Sequence, residues 1–291
     1  MIDKIISAFF ALVTAVLTLF YTPTPVTNIN PEKLPEVNKT QDVTVMSYNV
    51  YYKNPAEREE IVIQNIRNHD PDSFGLQEAT PEWIDAIAAA MPDYAYVGVG
   101  RNLDGSGEAS PVFYKKDKYE LIDSGTFFLS KTPDKPSRGW DAMFNRLCTY
   151  VVLKDKTTNF YYAHFNAHFD HMGVISRLES VAVVADKMSR ICNTFPVVFT
   201  GDLNDYEGGD MYNRVLEAGL RDTKHLAETA DDGPTFHGYN DLLTKEKPID
   251  FIFVSAMATN VKTYKVDTTK YDGEFASDHH PVISEMTLYN D

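Results

Sequence analysis

Residues 198–204 read VFTGDLN, an apolar run that ends in a glycine turn carrying Asp202 and Asn204. On an extended chain, residues two apart project to the same side, so this carboxylate and carboxamide can grip one water or one phosphate together. Alone, the pair is more often a turn former. The same pattern recurs: Asn49 closes one strand-like run, Glu78 a second and His168 a third, while Asp250 opens a fourth and Asp278-His279 stands just before a fifth. Apolar strands that repeatedly end in acids and amides are costly unless those ends converge on a cation. Hard oxygen ligands without a nearby cysteine suit Mg²⁺, with Mn²⁺ as its substitute. His168 and His171, three apart, suggest zinc, but no HExxH helix or cysteine pair supports that reading.

Holding these groups requires strands that end together. Apolar and β-branched runs predict strands over 43–50, 73–77, 112–115, 120–128, 147–153, 160–168, 197–200, 249–254 and 281–288. Helices are predicted over 57–69, 81–91, 173–192 and 209–217. In the longest, Val174, Leu178, Val181, Ala185 and Met188 recur at helical spacing. Long strand blocks with helices placed outside them predict two packed sheets flanked by helices. No internal repeat or low-complexity tract interrupts residues 41–291, which read as one domain.

Upstream of that domain, Ile5 to Tyr21 carries no charge and follows Lys4. The run is longer than most signal-peptide cores and just short of the ~20 residues of a bilayer span, so 1–21 reads as a signal peptide or an N-terminal membrane anchor. Four prolines mark 22–40 as an extended linker. The chain has 27 Lys+Arg against 42 Asp+Glu, a net charge of −15. That balance disfavours tight, nonspecific coating of a polyanion, because such binding needs positive charge. Residues 1–40 hold equal numbers of acids and bases, so the whole excess belongs to the domain.

The ordered set Ser-Tyr-Asn49, Leu-Gln-Glu78, Asn-Ala-His168, Gly-Asp202-Leu-Asn204, Ile-Asp250 and Ser-Asp278-His279 resembles the endonuclease/exonuclease/phosphatase (deoxyribonuclease I-like) superfamily across residues 43–289. Phe127-Phe-Leu-Ser-Lys-Thr-Pro followed by Gly139-Trp-Asp resembles a bacterial exported branch, with Phe128 where a Trp is expected. The resemblance implies an α+β, four-layer α/β/β/α sandwich with two mainly antiparallel sheets. It also implies a Mg²⁺-dependent phosphodiesterase, phosphatase or nuclease. By the same resemblance, Glu78, Asn49 and Asp278 are the metal-side residues. Asp202 orients or deprotonates water, Asn204 holds phosphate, and His279 contacts a phosphoryl oxygen with Asp250 behind it. His168 is a second phosphate contact or the proton donor to the leaving group, with Glu108 as its supporting acid.

Arg101, Arg138 and His171 are the substrate-contact candidates, and Trp140 and Phe144 could form an aromatic wall. Cys148 and Cys192 read as separate buried thiols. The expected protein is a secreted or membrane-anchored monomer that hydrolyses phosphate esters outside the cytoplasm, with a small molecule or lipid head group favoured as substrate. A nuclease acting on DNA or RNA and a non-catalytic binding domain on the same fold are the alternatives.

Overall fold

The computed structural model describes residues 21–32, 36–192, 194–240 and 247–290. In chain order its elements are β1 (Lys39–Asn49), α1 (Pro55–His69), β2 (Ser73–Gln77), α2 (Pro81–Ala90), β3 (Tyr94–Val97), β4 (Val112–Lys115) and β5 (Tyr119–Phe128). There follow β6 (Leu147–Asp155), β7 (Tyr161–His168), α3 (Val174–Ile191), β8 (Val197–Asp202), α4 (Asp210–Glu217), β9 (Arg221–Asp222) and α5 (Thr223–Leu226). The last are β10 (Ala227–Ala230), β11 (Asp250–Val254), β12 (Ala258–Val266), β13 (Lys270–Tyr271), β14 (Glu274–Phe275) and β15 (Val282–Asn290).

One sheet has seven strands in the order β10-β12-β15-β1-β2-β4-β3, and the other has six in the order β5-β6-β7-β8-β11-β9. Most neighbours are antiparallel, but each sheet has a parallel pair near its middle, β1 with β2 and β7 with β8, and β10 runs parallel to β12 at one edge. Strand alternation sorts side chains into layers. Val43 and Val45 of β1 join Val198, Ile252 and Val254 of the opposite sheet in a core between the sheets. Met46 and Tyr48 point the other way, to Val62 and Ile66 of α1 and Trp83 and Ile87 of α2. Phe165, Phe199 and Phe251 pack beneath Leu178, Val181 and Met188 of α3 and Val215 of α4. The result is the four-layer α/β/β/α sandwich.

Helix starts follow local chemistry. α1 begins at Pro55 after Asn54, whose φ is 52°, and α2 begins at Pro81 after extended Thr80. α3 lacks a side-chain cap of its own; Asp141 instead accepts from Ile175 N (3.2 Å) and Ser176 N (2.7 Å), satisfying two orphan donors from another loop.

Part of the interface between the sheets is polar. His164 bonds Ser73 Oγ and Thr200 Oγ1, each at 2.8 Å, and Gln77 Nε2 donates to Asn166 Oδ1 at 2.7 Å. Burial pushes His164 down to about 3, so its ring is neutral. Gly75 makes this approach possible, because a Cβ there would lie 2.4 Å from Asn166 Cγ and Thr200 Oγ1. Both neighbours are fixed: Asn166 Nδ2 donates to Leu76 O and Pro111 O, and Thr200 Oγ1 donates to Asn166 Oδ1. Gly75→Ala is expected to cost roughly 2–4 kcal/mol from overpacking and lost hydrogen bonds. Urea unfolding checks this, and an unchanged midpoint would refute it.

The linker reading of 22–40 needs correction at its described part. Residues 22–30 form no helix or strand, yet they are docked. Thr24 N donates to Glu179 Oε1 of α3 (2.7 Å), Ile29 is buried against the α3–α4 face, and Asn30 bonds Gly219 O (2.7 Å) and Ala256 N (2.9 Å). Lys39 and Thr40 already belong to β1. Except for Tyr21, the apolar run that suggested a signal or anchor lies outside the described residues. Among the described residues, no helix is long and apolar enough to cross a membrane.

Candidate active site

The interior parity of four strands carries most of the chemical groups. On β7, Tyr162, His164, Asn166 and His168 share the face toward the other sheet; on β8, Val198, Thr200 and Asp202 do; on β11, Val254, Ile252 and Asp250 do. At one end of the sandwich, apolar members of these rows fill the core. At the other end the same rows finish in polar groups, with His168 opposite Asp202 and Asp202 opposite Asp250 in register. From the facing sheet, Asn49 ends β1 on the parity of Val43 and Val45. Glu78 follows β2 with a left-handed φ of 57°, a strained conformation that turns it out of the strand.

Asp202 is the hub. Its Oδ2 accepts from Asn49 Nδ2 at 3.0 Å and lies 3.8 Å from His279 Nε2 and 3.5 Å from His168 Nε2. Its Oδ1 accepts from Asn204 N at 3.0 Å. His279 Nδ1 donates to Asp250 Oδ2 at 2.8 Å, which aims Nε2 at Asp202. Burial opposes charge on His279, but the Asp250 carboxylate, helped by Asp202 and Asp278, outweighs it and pushes the ring up to about 10. Burial and the neighbouring charge of Asp250 raise Asp202 above the ordinary carboxylate range, while His279 pulls the other way. His168 goes in the opposite direction from His279: burial, then Arg146 and His279, hold it well below the usual imidazole value. Beside Asp202, His279 is therefore cationic and His168 neutral.

The neutral ring accepts at Nε2 from Asn204 Nδ2 (3.0 Å), which also donates to Phe169 O. His168 therefore meets a substrate as a hydrogen-bonding imidazole. Glu108 departs from expectation. It pairs with Arg101 through two bonds of 2.9 and 2.8 Å instead of with His168, because a tight loop sets the two side chains face to face.

On the metal side, Glu78 Oε1 accepts from Asn49 Nδ2 (3.2 Å) and Oε2 from Tyr52 N (3.1 Å). Asn49 Oδ1 takes Tyr51 N (3.0 Å), so Asn49 links Glu78 to Asp202 through its amide nitrogen instead of offering an oxygen to a cation. Asp278 is raised by burial and, among charges, by Glu78. Among the described residues neither Glu78 nor Asp278 has an ion-pair partner, and both line the cleft. Two unpaired carboxylates that repel each other fit a hard divalent cation. Asp202, Asp250 and His279 also lie within 4.8 Å of one another. His279, held at Nδ1 by Asp250, would have to give up its Nε2 proton to serve as a ligand there.

The cleft encloses about 480 Å³ and is lined by Glu78, Asp278, Asp202, Asn204, His168 and His279, with Arg101, Glu108, Phe144, His171 and Arg146 along one wall. Arg138 stands apart, in an adjoining outer chamber of about 560 Å³. Of the two proposed wall aromatics, Phe144 lines the cleft and Trp140 does not. Arg146 escaped sequence reading. It is buried, ion-paired to Asp170 (3.3 Å) and bonded to His171 Nδ1 (3.2 Å). An arginine just before an apolar strand was the available signal. Phe236, in edge contact with His279 at 4.9 Å, was likewise missed. Cys148 and Cys192 are free and buried, and burial pushes both thiols up.

The sequence profile of the Endonuclease/Exonuclease/phosphatase family matches residues 46–279, which span the whole cleft. The chain belongs to the endonuclease/exonuclease/phosphatase family. Membership makes it a phosphoester hydrolase by class. Among solved structures, an endonuclease/exonuclease/phosphatase family protein from Bacteroides thetaiotaomicron is 34% identical, with a TM-score of 0.82 over 86% of this chain and 96% of that one. The mannosyl-6-phosphatase of Bacteroides thetaiotaomicron VPI-5482 is also 34% identical, with a TM-score of 0.80 over 84% of this chain and 99% of that one. The human nocturnin catalytic domain, at 15% identity and a TM-score of 0.66 over 87% and 97% of the two chains, shares the fold of the family. No curated protein matched the chain.

Proposed function

We propose that this chain is a divalent-metal-dependent hydrolase of small phosphoric esters, using Mg²⁺ or Mn²⁺ and acting outside the cytoplasm. The carrying observation is the opposition, across one cleft, of the unpaired carboxylates Glu78 and Asp278 to the Asp202–His279–Asp250 row. Glu78 and Asp278 would hold the cation, with Asn49 orienting Glu78. When bound, the cation supplies Lewis-acid stabilisation of charge on phosphate oxygens. Asp202, with its raised proton affinity, takes the proton of an attacking water as the P–O bond to the alcohol breaks. His279 offers its Nε2 proton to a phosphoryl oxygen, and its cationic form is maintained by Asp250. Asn204 would hold a phosphate oxygen by redirecting the Nδ2–H that now meets His168 Nε2, which frees that ring nitrogen to face the leaving group.

A small substrate is supported by the cleft volume of about 480 Å³ and by the mannosyl-6-phosphatase relative. The surplus of acids over bases weighs against a long polyanion. The extracytoplasmic location rests on the uncharged run after Lys4. The deciding assay measures hydrolysis of p-nitrophenyl phosphate and bis-p-nitrophenyl phosphate with Mg²⁺ or with EDTA. EDTA is expected to lower the rate roughly a thousandfold, about 4 kcal/mol of barrier, with recovery on adding Mg²⁺ in excess. Retention of half the rate in EDTA would defeat the metal assignment. The same assay on intact cells, with a substrate that does not enter, tests the location: turnover only after lysis would refute it.

A further inference from the structure

Between the cleft and the outer chamber stands one charged pair that the proposed chemistry does not use. Arg101 and Glu108 border both spaces. They are set opposite each other by a tight loop, in which Gly100 N donates to Gly105 O (3.1 Å), Asn102 N to Ser106 O (3.0 Å) and Arg101 N to Glu108 O (3.1 Å). Gly107 completes it with a φ of +81°, and a Cβ there would stand 2.8 Å from Asn102 Nδ2. The loop is pinned from outside: Asn145 Nδ2 donates to Arg101 O (3.1 Å), and the Arg101 guanidinium lies 4.4 Å over the Phe144 ring.

Charge decides what this pair can recognise. Arg101 is neutralised by Glu108, and Arg146 by Asp170. Of the basic residues bordering the two spaces, only Arg138 lacks a partner among the described residues. A second phosphate or a nucleic-acid strand would be met by unpaired cations, and the walls do not provide a row of them. A hydroxyl group is both donor and acceptor. A guanidinium joined to a carboxylate through both terminal nitrogens, as here, keeps a spare N–H on each beside a spare oxygen lone pair, already oriented, which matches neighbouring hydroxyls.

We propose that the Arg101–Glu108 pair selects the leaving group by reading neighbouring hydroxyls of a polyol, so that sugar phosphates are the preferred esters and their carbon skeleton extends into the outer chamber. This rests on the hydrolytic reading of the cleft and deepens it. The test compares kcat/KM for glucose 6-phosphate and mannose 6-phosphate with that for n-hexyl phosphate, whose leaving alcohol has similar intrinsic reactivity but no further hydroxyl. Wild-type enzyme is expected to favour a hexose phosphate at least tenfold. In Glu108→Gln and in Arg101→Lys, which keeps the charge and loses the fork, that ratio is expected to collapse toward one. Equal use of n-hexyl phosphate by the wild type, or a ratio unchanged within twofold in both variants, overturns the proposal. If p-nitrophenyl phosphate is still hydrolysed with Mg²⁺ in those cases, the hydrolytic reading survives. If no ester is hydrolysed with metal, both readings fall.

Discussion

Asp202→Ala is expected to lower kcat/KM by about 10⁴-fold, at the upper end of what a positioned general base contributes. The residue joins both halves of the site. It is the carboxylate bridged by Asn49 to Glu78, and it faces the Nε2 of His279. Its removal takes away the proton acceptor and a partner that keeps His279 charged. Asp202→Asn should be equally inactive at nearly unchanged volume, which separates the loss of the base from the loss of packing. Stability should move the other way. A carboxylate whose proton affinity is raised on folding carries a destabilising charge once the pH exceeds its unfolded value of ~4. The metal-free Asn variant is therefore expected to melt no lower than the wild type. Steady-state kinetics and thermal unfolding read both halves, and a variant retaining a tenth of wild-type activity would remove Asp202 from the base role.

Asp250→Asn is expected to cost about 10²–10³-fold in kcat and to reshape the alkaline side of the pH profile. In the wild type His279 keeps its proton up to about 10, first against burial and then because of Asp250. The sign follows from that direction. Stability from the charged ring is fully present below the ordinary imidazole value of ~6.5 and is lost as pH rises through about 10. Activity that needs the cation should hold over the same span and fall beyond it. Without the Asp250 charge, the alkaline limb should move toward neutrality, part of the way only, because Asp202 and Asp278 still favour the cation. A profile with its alkaline limb unmoved would show that His279 is not the group that titrates. On the acid side, activity should rise as Asp202 ionises, later than for an exposed aspartate.

The strand ends were legible because alternation is a local property. Once residues 43–50, 160–168 and 197–200 read as strands, parity places Asn49 and His168 on the interior rows, and Asp202 continues the row of Thr200 two residues on. Partnerships across the fold were less visible. Nothing local shows that Glu108 meets Arg101 before it can meet His168, since a left-handed Gly107 inside a short loop decides it. Arg146 and Asp170 are 24 residues apart and meet only when the loop before β6 folds over the end of β7. β12 escaped for a different reason. Register shifts between Ala258 and Asn260 and between Val261 and Thr263 break the two-residue period that marks a strand. β10 is largely exposed and has no apolar face to detect.

Gly75 gives the polar contact between the two sheets a mechanical meaning. Half of the cleft belongs to one sheet and half to the other, and the bare backbone at Gly75 sets how closely the halves sit. A slip of one sheet along the other would leave each ladder of strands intact and each catalytic side chain on its own strand, yet it would pull Asn49 away from Asp202. Catalysis in this molecule is then a gauge of registry between two plates, and a compact state with all its strands but a loosened seam would be a folded chain without an enzyme.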